Sequence, residues 1–382
     1  MMIRTRLLTL FFPLAAAALL LPMTLGACQD DGGDGNGGGG TTPTGTQTGT
    51  TTGTTTGTAT GVGGGTSTGT NVGGNTGCGY NATDATVQEV TNGTVGTGVE
   101  VRLTGVIAMT RKFLVSKSSS GSCLWGVFIS APGLTTTEEY SGVIAVSYGF
   151  PAEVPEGGTQ DYCPVIELNE PAGDAFPDDV APGDVLDIVG ETDSFLLTQY
   201  CTDAGDSQVP AKQVSQVCSV NRTSSGATLP TPATIATADL SKLGSPTDTD
   251  FHDKWGGVKV RIENVTADEA HADFQPGDCT GGEQTIVGMK DGTYDVYGTI
   301  ELNEGDGLRV GNEIYYQGLM RSLGASCRGG PEFCTTTGTP YSFTYIEGFN
   351  YLDFCTWTLQ PAHRCNDFSP AGDGCPCSEN PD

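Results

Sequence analysis

Three regimes of hydropathy follow one another along the chain. Leu7 to Leu21 is mostly apolar, Gln29 to Gly77 is almost entirely Gly and Thr, and the remainder alternates short apolar and polar stretches. In that last region Val99 to Leu103, Leu124 to Ile129, Gly142 to Val146 and Val185 to Val189 are rich in apolar and β-branched residues. Similar runs return at Val258 to Val265, Tyr294 to Leu302, Ile314 to Leu319 and Tyr341 to Ile346. Period-two alternation marks half-buried strands, and Gly, Pro, Asn and Asp clusters between the runs mark turns. No helical period extends beyond three turns. The pattern predicts an all-β region of many short strands, arranged as a sandwich or barrel.

The Gly/Thr stretch of 49 residues contains no Lys, Arg or aromatic residue. It holds too little apolar surface to offset the entropy of ordering, so it is expected to be a disordered tether. As a flexible coil it would span about 40 Å, and fully stretched about 160 Å. Asp30, Asp31, Asp34 and Asn36 lack the terminal bidentate Glu of a calcium loop. The boundaries that follow are 1–27 for a leader, 28–77 for the tether, 78–235 and 236–370 for two β domains, and 371–382 for a tail.

Arg4 and Arg6 precede the apolar run, which Pro13 and Pro22 interrupt. It is shorter than the roughly 20 residues of a spanning helix and has the build of a signal peptide. It ends in Leu25-Gly26-Ala27-Cys28, which resembles the lipobox of bacterial lipoproteins. That resemblance implies cleavage before Cys28, acylation of its sulfur and membrane attachment through the lipid. Gln29, where Asp would signal inner-membrane retention, implies the outer membrane, on its extracellular or periplasmic face.

Charge narrows the partners. The chain carries 17 basic and 45 acidic residues, a formal net charge of −28. Losing Arg4 and Arg6 would leave 15 basic residues against the same 45 acids. The two β regions carry 6 basic with 19 acidic residues and 9 with 23. Binding to phosphate backbones draws on Lys and Arg, so nucleic acid is disfavoured, as are anionic lipid surfaces.

Of the 13 cysteines, Cys28 is the lipid site. The other twelve are Cys78, Cys123, Cys163, Cys201, Cys218, Cys279, Cys327, Cys334, Cys355, Cys365, Cys375 and Cys377. An even set in an exported chain predicts disulfides, and the spacing Cys375-Pro376-Cys377 is wrong for a zinc knuckle. Five precede residue 235 and seven follow it. If all twelve pair, at least one bond crosses between the halves.

An internal repeat is visible. Gly98-Val-Glu-Val-Arg-Leu-Thr-Gly-Val106 aligns with Gly257-Val-Lys-Val-Arg-Ile-Glu-Asn-Val265. Gly183-Asp-Val-Leu-Asp-Ile-Val-Gly190 also aligns with Gly311-Asn-Glu-Ile-Tyr-Tyr-Gln-Gly318. The opening V-x-V-R-L strand, the element around Trp125-Gly-Val-Phe-Ile129 and the strand launched from Pro182-Gly183-Asp184 resemble OB-fold-like domains of secreted bacterial proteins. The resemblance spans about 85–220 and 250–365. It implies two tandem Greek-key β-barrels, disulfide-stabilised, behind the tether. The whole layout is similar to surface lipoproteins of soil or predatory Gram-negative bacteria such as myxobacteria, a likeness that carries no activity with it.

Chemistry is sparsely signalled. His252, His271 and His363 form no metal-binding spacing, and there is no G-x-S-x-G elbow or phosphate-binding glycine loop. Asp178-Asp179, Glu138-Glu139 and Asp184/Asp187 are carboxylate pairs of the kind glycosidases need, or solvated acids in turns. The acids from Glu170 to Asp179 offer oxygen ligands, so calcium is the one cofactor to consider. His252, in an acidic turn, is expected to be solvated. Tyr341, Phe343 and Tyr345 alternate along one strand and so share a face. They are either core of the second domain or a stacking platform for a sugar or peptide. Two functions remain: a non-catalytic binding or adhesion ectodomain, or an extracellular hydrolase or calcium-dependent accessory protein.

Overall fold

The structure is a computed structural model. It describes residues 78–371, apart from internal stretches of which the longest are 155–162, 197–206, 241–249, 268–283, 287–299 and 315–333. Cys28, the leader, the tether, the C-terminal tail, His271, and the sulfurs of Cys201, Cys279, Cys327, Cys334, Cys375 and Cys377 lie outside the described residues and side chains. Among the described residues no helix is long and apolar enough to cross a membrane.

The protein is all-β, with two seven-stranded sheets and a separate two-stranded ribbon. In the first half the elements run β1 (Thr83–Ala85), α1 (Val87–Thr91), β2 (Glu100–Ala108), β3 (Phe113–Lys117) and β4 (Ser122–Ser130). They continue with β5 (Gly142–Pro151), β6 (Val185–Phe195) and β7 (Ala211–Ser224). The second half comprises β8 (Ala233–Thr234), α2 (Phe251–Trp255), β9 (Lys259–Ala267), β10 (Gln284–Ile286), β11 (Ile300–Glu301) and β12 (Arg309–Val310). It ends with β13 (Cys334–Thr336), β14 (Tyr341–Asp353), β15 (Thr356–Gln360) and β16 (Phe368–Ser369). Because β8 hydrogen-bonds to β9, the second sheet takes in residues just before the expected boundary at 235.

In the first sheet the pairings return on themselves. β2 is antiparallel to β6, β6 to β7 and β5 to β4, while β5 and β7 run parallel; β4 then pairs back to β2. The second sheet follows the same circuit with other strands. β9 is antiparallel to β14 and β14 to β15, β15 runs parallel to β12, and β12 is antiparallel to β11. A single bridge, Ala267 to Leu302, brings the end of β11 back to β9.

The aligned segments of sequence occupy equivalent places in these circuits. Each copy enters through a short parallel strand and a one-turn helix before its long strand: β1 sets Thr83 opposite Val101, and β8 sets Ala233 opposite Val260. Both long strands switch faces midway. Val101 and Leu103, then Val106 and Ala108, are all buried, as are Val260 and Ile262, then Val265 and Ala267. One residue in each copy absorbs the slip with a left-handed backbone, Gly105 (φ 70°) and Asn264 (φ 53°). Gly and Asn are the residues that tolerate this conformation best, and the first copy is a bulge in the β2–β6 register. The second sequence match does not survive. Glu313 and Ile314 lie in a turn, and the strand that pairs with β9 as β6 pairs with β2 is β14. The G-[DN]-x-[LI] pattern describes any turn that launches a half-buried strand, so it aligned two unrelated places.

Each sheet packs on its own apolar cluster, the first around Leu103, Ile129, Leu186 and Val214, the second around Ile262, Val310, Phe343 and Leu359. A third cluster joins them. Phe113, Phe128 and Ile144 of the first half pack with Ile314 and Phe349 of the second, and the rings of Phe128 and Phe349 stack at 4.2 Å. Backbone closes on backbone beside this seam: a Cβ on Gly142 would lie 2.4 Å from Gly257 O. Thr137 Oγ1 accepts from Ala233 N–H and donates to Lys259 C=O, both at 2.8 Å. The Trp357 indole N–H donates to Ser207 Oγ across the halves at 3.0 Å.

Two disulfides are described, Cys78–Cys218 and Cys123–Cys163, both within the first half. Cys355 and Cys365 are also disulfide-bonded. In the first half only Cys201 is left to make the expected crossing bond, and it lies outside the described residues.

Candidate functional site

The slip at Asn264 decides what the aromatic strand does. β14 pairs Phe343 with Val265 and Tyr345 with Glu263, so the face change of β9 is copied onto β14. Phe343 and Ile346 therefore both point into the second core, although three residues apart. Phe343 is 1 % exposed, and Tyr341 packs at the core's edge with its ring 5.0 Å from that of Phe343. Tyr345 faces the other way, beneath the Arg261 guanidinium at 4.2 Å, a cation–π contact. The three rings expected to share one face do not form a platform, because simple alternation ends where the strand slips.

Beside Tyr345 runs a charged ladder. Arg261 donates through Nε and Nη2 to Glu347 Oε1. Lys259 Nζ lies 2.6 Å from Asp367 Oδ1 and 3.6 Å from Glu347 Oε2. Asp367 Oδ2 also accepts from the backbone N–H of Ala362 and His363. Burial works against the Lys259 ammonium, but Asp367 and Glu347 outweigh it and raise its pKa. The ladder is internally neutralised and fixes strands.

Exposed rings occur elsewhere. Tyr148 and Phe150, at the free end of β5, are 56 % and 40 % exposed. They flank Gly149, where the backbone is closely approached: a Cβ there would meet Ala172 O at 2.3 Å and Trp125 Nε1 at 2.7 Å. Both rings are exposed where the β4–β5 register shifts, and the backbone closes on the loop 170–181. The Phe150 N–H donates to Ala172 C=O at 2.8 Å, and the Phe150 ring lies against Gly173. The sequence carried this signal, two aromatics at i and i+2 around a glycine in a strand, beyond the apolar run that ended at Val146.

That loop is held from below by a buried cation. Lys112 Nζ donates to Asp174 Oδ1 at 2.6 Å, Asp178 Oδ1 at 2.5 Å and Phe176 C=O at 3.3 Å. It stands 5.7 Å from the centre of the Trp125 ring, whose own N–H is buried with no acceptor among the described residues. The side chains of Lys112 and Asp174 are 0 % exposed. Burial pushes the Asp174 carboxyl above the ordinary carboxylate range in spite of Lys112.

Three other acids singled out from sequence also have structural partners. Asp179 pairs with Arg222, whose hydrogen bond lowers the carboxyl pKa. Asp184 accepts from Ala181 N–H and pairs with Arg222 at 3.3 Å, and Asp187 accepts from Gly105 N–H in the bulge. Among the described residues no three His, Cys, Asp or Glu are placed to hold a metal ion. His252 is not solvated. It is buried on α2, stacked on Trp357 at 4.5 Å, with Asn350 Nδ2 at 3.1 Å from its Nδ1. Its neighbours Phe251 and Trp255 draw this helix face into the core, which the acidic residues around it conceal in the sequence.

No protein-family model matches the chain, and no curated protein matches it significantly.

Proposed function

We propose that this chain is a non-catalytic binding or adhesion ectodomain, built on two OB-like units, carried on a Gly/Thr stalk and anchored in an outer membrane through acylated Cys28. The pairing circuit in each half, five strands with one parallel neighbour pair, supports the OB-like reading. The Leu-Gly-Ala-Cys sequence supports the anchor. The observation that carries the binding function is the outward pair Tyr148 and Phe150 on a strand end braced by Lys112. Two exposed rings separated by one glycine suit the apolar faces of sugar units, while the net charge of −28 selects against polyanions. The ligand is a neutral glycan.

The test is a glycan array probed with the exported protein and with a Tyr148→Ala/Phe150→Ala double variant. Binding to neutral glycans that is lost in a double variant with unchanged circular dichroism is the expected result. Binding confined to peptides would overturn the ligand class, and no binding to either would overturn the function. Fatty-acid labelling of wild type against Cys28→Ser checks the anchor separately.

A further inference from the structure

Lys112 and Asp174 bring together two groups able to condense. Their Nζ and Oδ1 atoms are 2.6 Å apart, and both side chains are sealed from solvent. A third functional group adjoins them: Asp178 Oδ1 is 2.5 Å from the same nitrogen, and its side chain is 46 % exposed. Trp125, whose ring centre is 5.7 Å from Lys112 Nζ, belongs to an apolar cluster with Leu114, Ala172 and the cross-linked Cys123 and Cys163.

We propose that Lys112 and Asp174 become joined by a side-chain amide, with Asp178 as the proton carrier. The ion pair first transfers a proton to become amine and carboxylic acid. The lone pair of Nζ attacks Cγ of Asp174, and a C–N bond forms. Asp178 takes the proton released by nitrogen and delivers it to the departing hydroxyl. The C–O bond then breaks, and one water leaves through the side on which Asp178 meets solvent. The sum is amine plus acid giving amide plus water, with no change of oxidation state and no other reactant.

Three physical arguments favour the step. Burial of an ion pair is costly, and the amide removes both charges from the interior. Desolvation raises the Asp174 pKa, which increases the share of the acid form that can lose hydroxyl. Fixed contact replaces an encounter in solution, and well-oriented intramolecular reactions reach effective concentrations of about 10⁵–10⁸ M. Asp178 is the poorer acyl partner because it is half-exposed and already accepts from Ala172 N–H at 3.2 Å. The product would tie the residue just before β3 to the loop beneath Phe150 by a bond that reductants cannot open.

The experiment is mass spectrometry of the full exported chain, reduced and alkylated, then digested with trypsin. The expected result is one branched peptide containing both residues, lighter than its two components by one water, with no cleavage after Lys112. In Asp178→Asn, which keeps the shape of the site, the branched peptide is lost or forms slowly while the two disulfides still form. Quantitative cleavage after Lys112 and an unmodified Asp174 peptide from wild type would overturn the proposal. A branch to Asp178 instead would overturn the assignment of roles. Undiminished branching in Asp178→Asn would remove Asp178 from the mechanism.

Discussion

The two halves run the same strand circuit, yet they are secured differently. In the first, β2, β4, β5, β6 and β7 are nine to fourteen residues long, and the return from β4 to β2 is a two-residue ladder. In the second, β11 and β12 have two residues each, and the return is one bridge. Both disulfides of known pairing belong to the first half. The second half compensates by leaning on the first: Phe349 stacks on Phe128, and Gly257 abuts Gly142. One circuit can thus be held by long ladders and staples, or by a seam with a sturdier neighbour.

The comparison is broken most severely at that seam. Phe349→Ala should cost about 3–5 kcal/mol, the range for deleting a buried aromatic side chain. In urea unfolding the second half should then melt at lower denaturant than the first, splitting the single transition expected of wild type. Cys78→Ser should cost about 2–4 kcal/mol, because it opens a loop of 140 residues, and the loss should fall on the first half. Gly142→Ala should cost about 1–3 kcal/mol by overpacking, since the new methyl would meet Gly257 O at 2.4 Å; hydrogen exchange should rise around β5 and β9 together. Thr137→Val strands the N–H of Ala233 and should cost about 1–2 kcal/mol, read from the midpoint of the same urea curve.

The smallest effect is one of pH. Lys259 has a raised pKa in the folded protein. Its contribution is therefore fully present below the unfolded lysine value of about 10.4 and is lost as pH rises through the higher folded value. Lys259→Met should flatten the fall in stability above that value and leave its slope at pH 5–8 unchanged, as followed by thermal melts across the range.

Where alternation was unbroken, the fold was legible. Val101-Arg102-Leu103 and Val260-Arg261-Ile262 announced β2 and β9, and Trp125 to Ile129 announced β4. β7 went unrecognised because its buried residues, Val214, Ser215 and Val217 among them, fall on either side of Gln216, whose φ of 49° breaks the period. The same kind of slip, at Asn264, undid the reading of Tyr341, Phe343 and Tyr345 as one face. Charges resisted prediction for a different reason. Lys112 lies 62 residues from Asp174 and 66 from Asp178, and only the folding of the 170–181 loop over Trp125 brings them together. Tyr148 and Phe150 were overlooked because exposure of a ring at a strand end depends on where the next loop passes.

Cys78 is the first described residue, and its sulfur is bound to Cys218 in β7. β1, only three residues long, begins five positions later. A pull applied on the N-terminal side of Cys78 would therefore meet a covalent clasp on a fourteen-residue strand before it could peel β1 away. Such a load would pass into the longest ladder among the described residues, and reduction of that one bond would turn the N-terminal strand into the point where tearing starts.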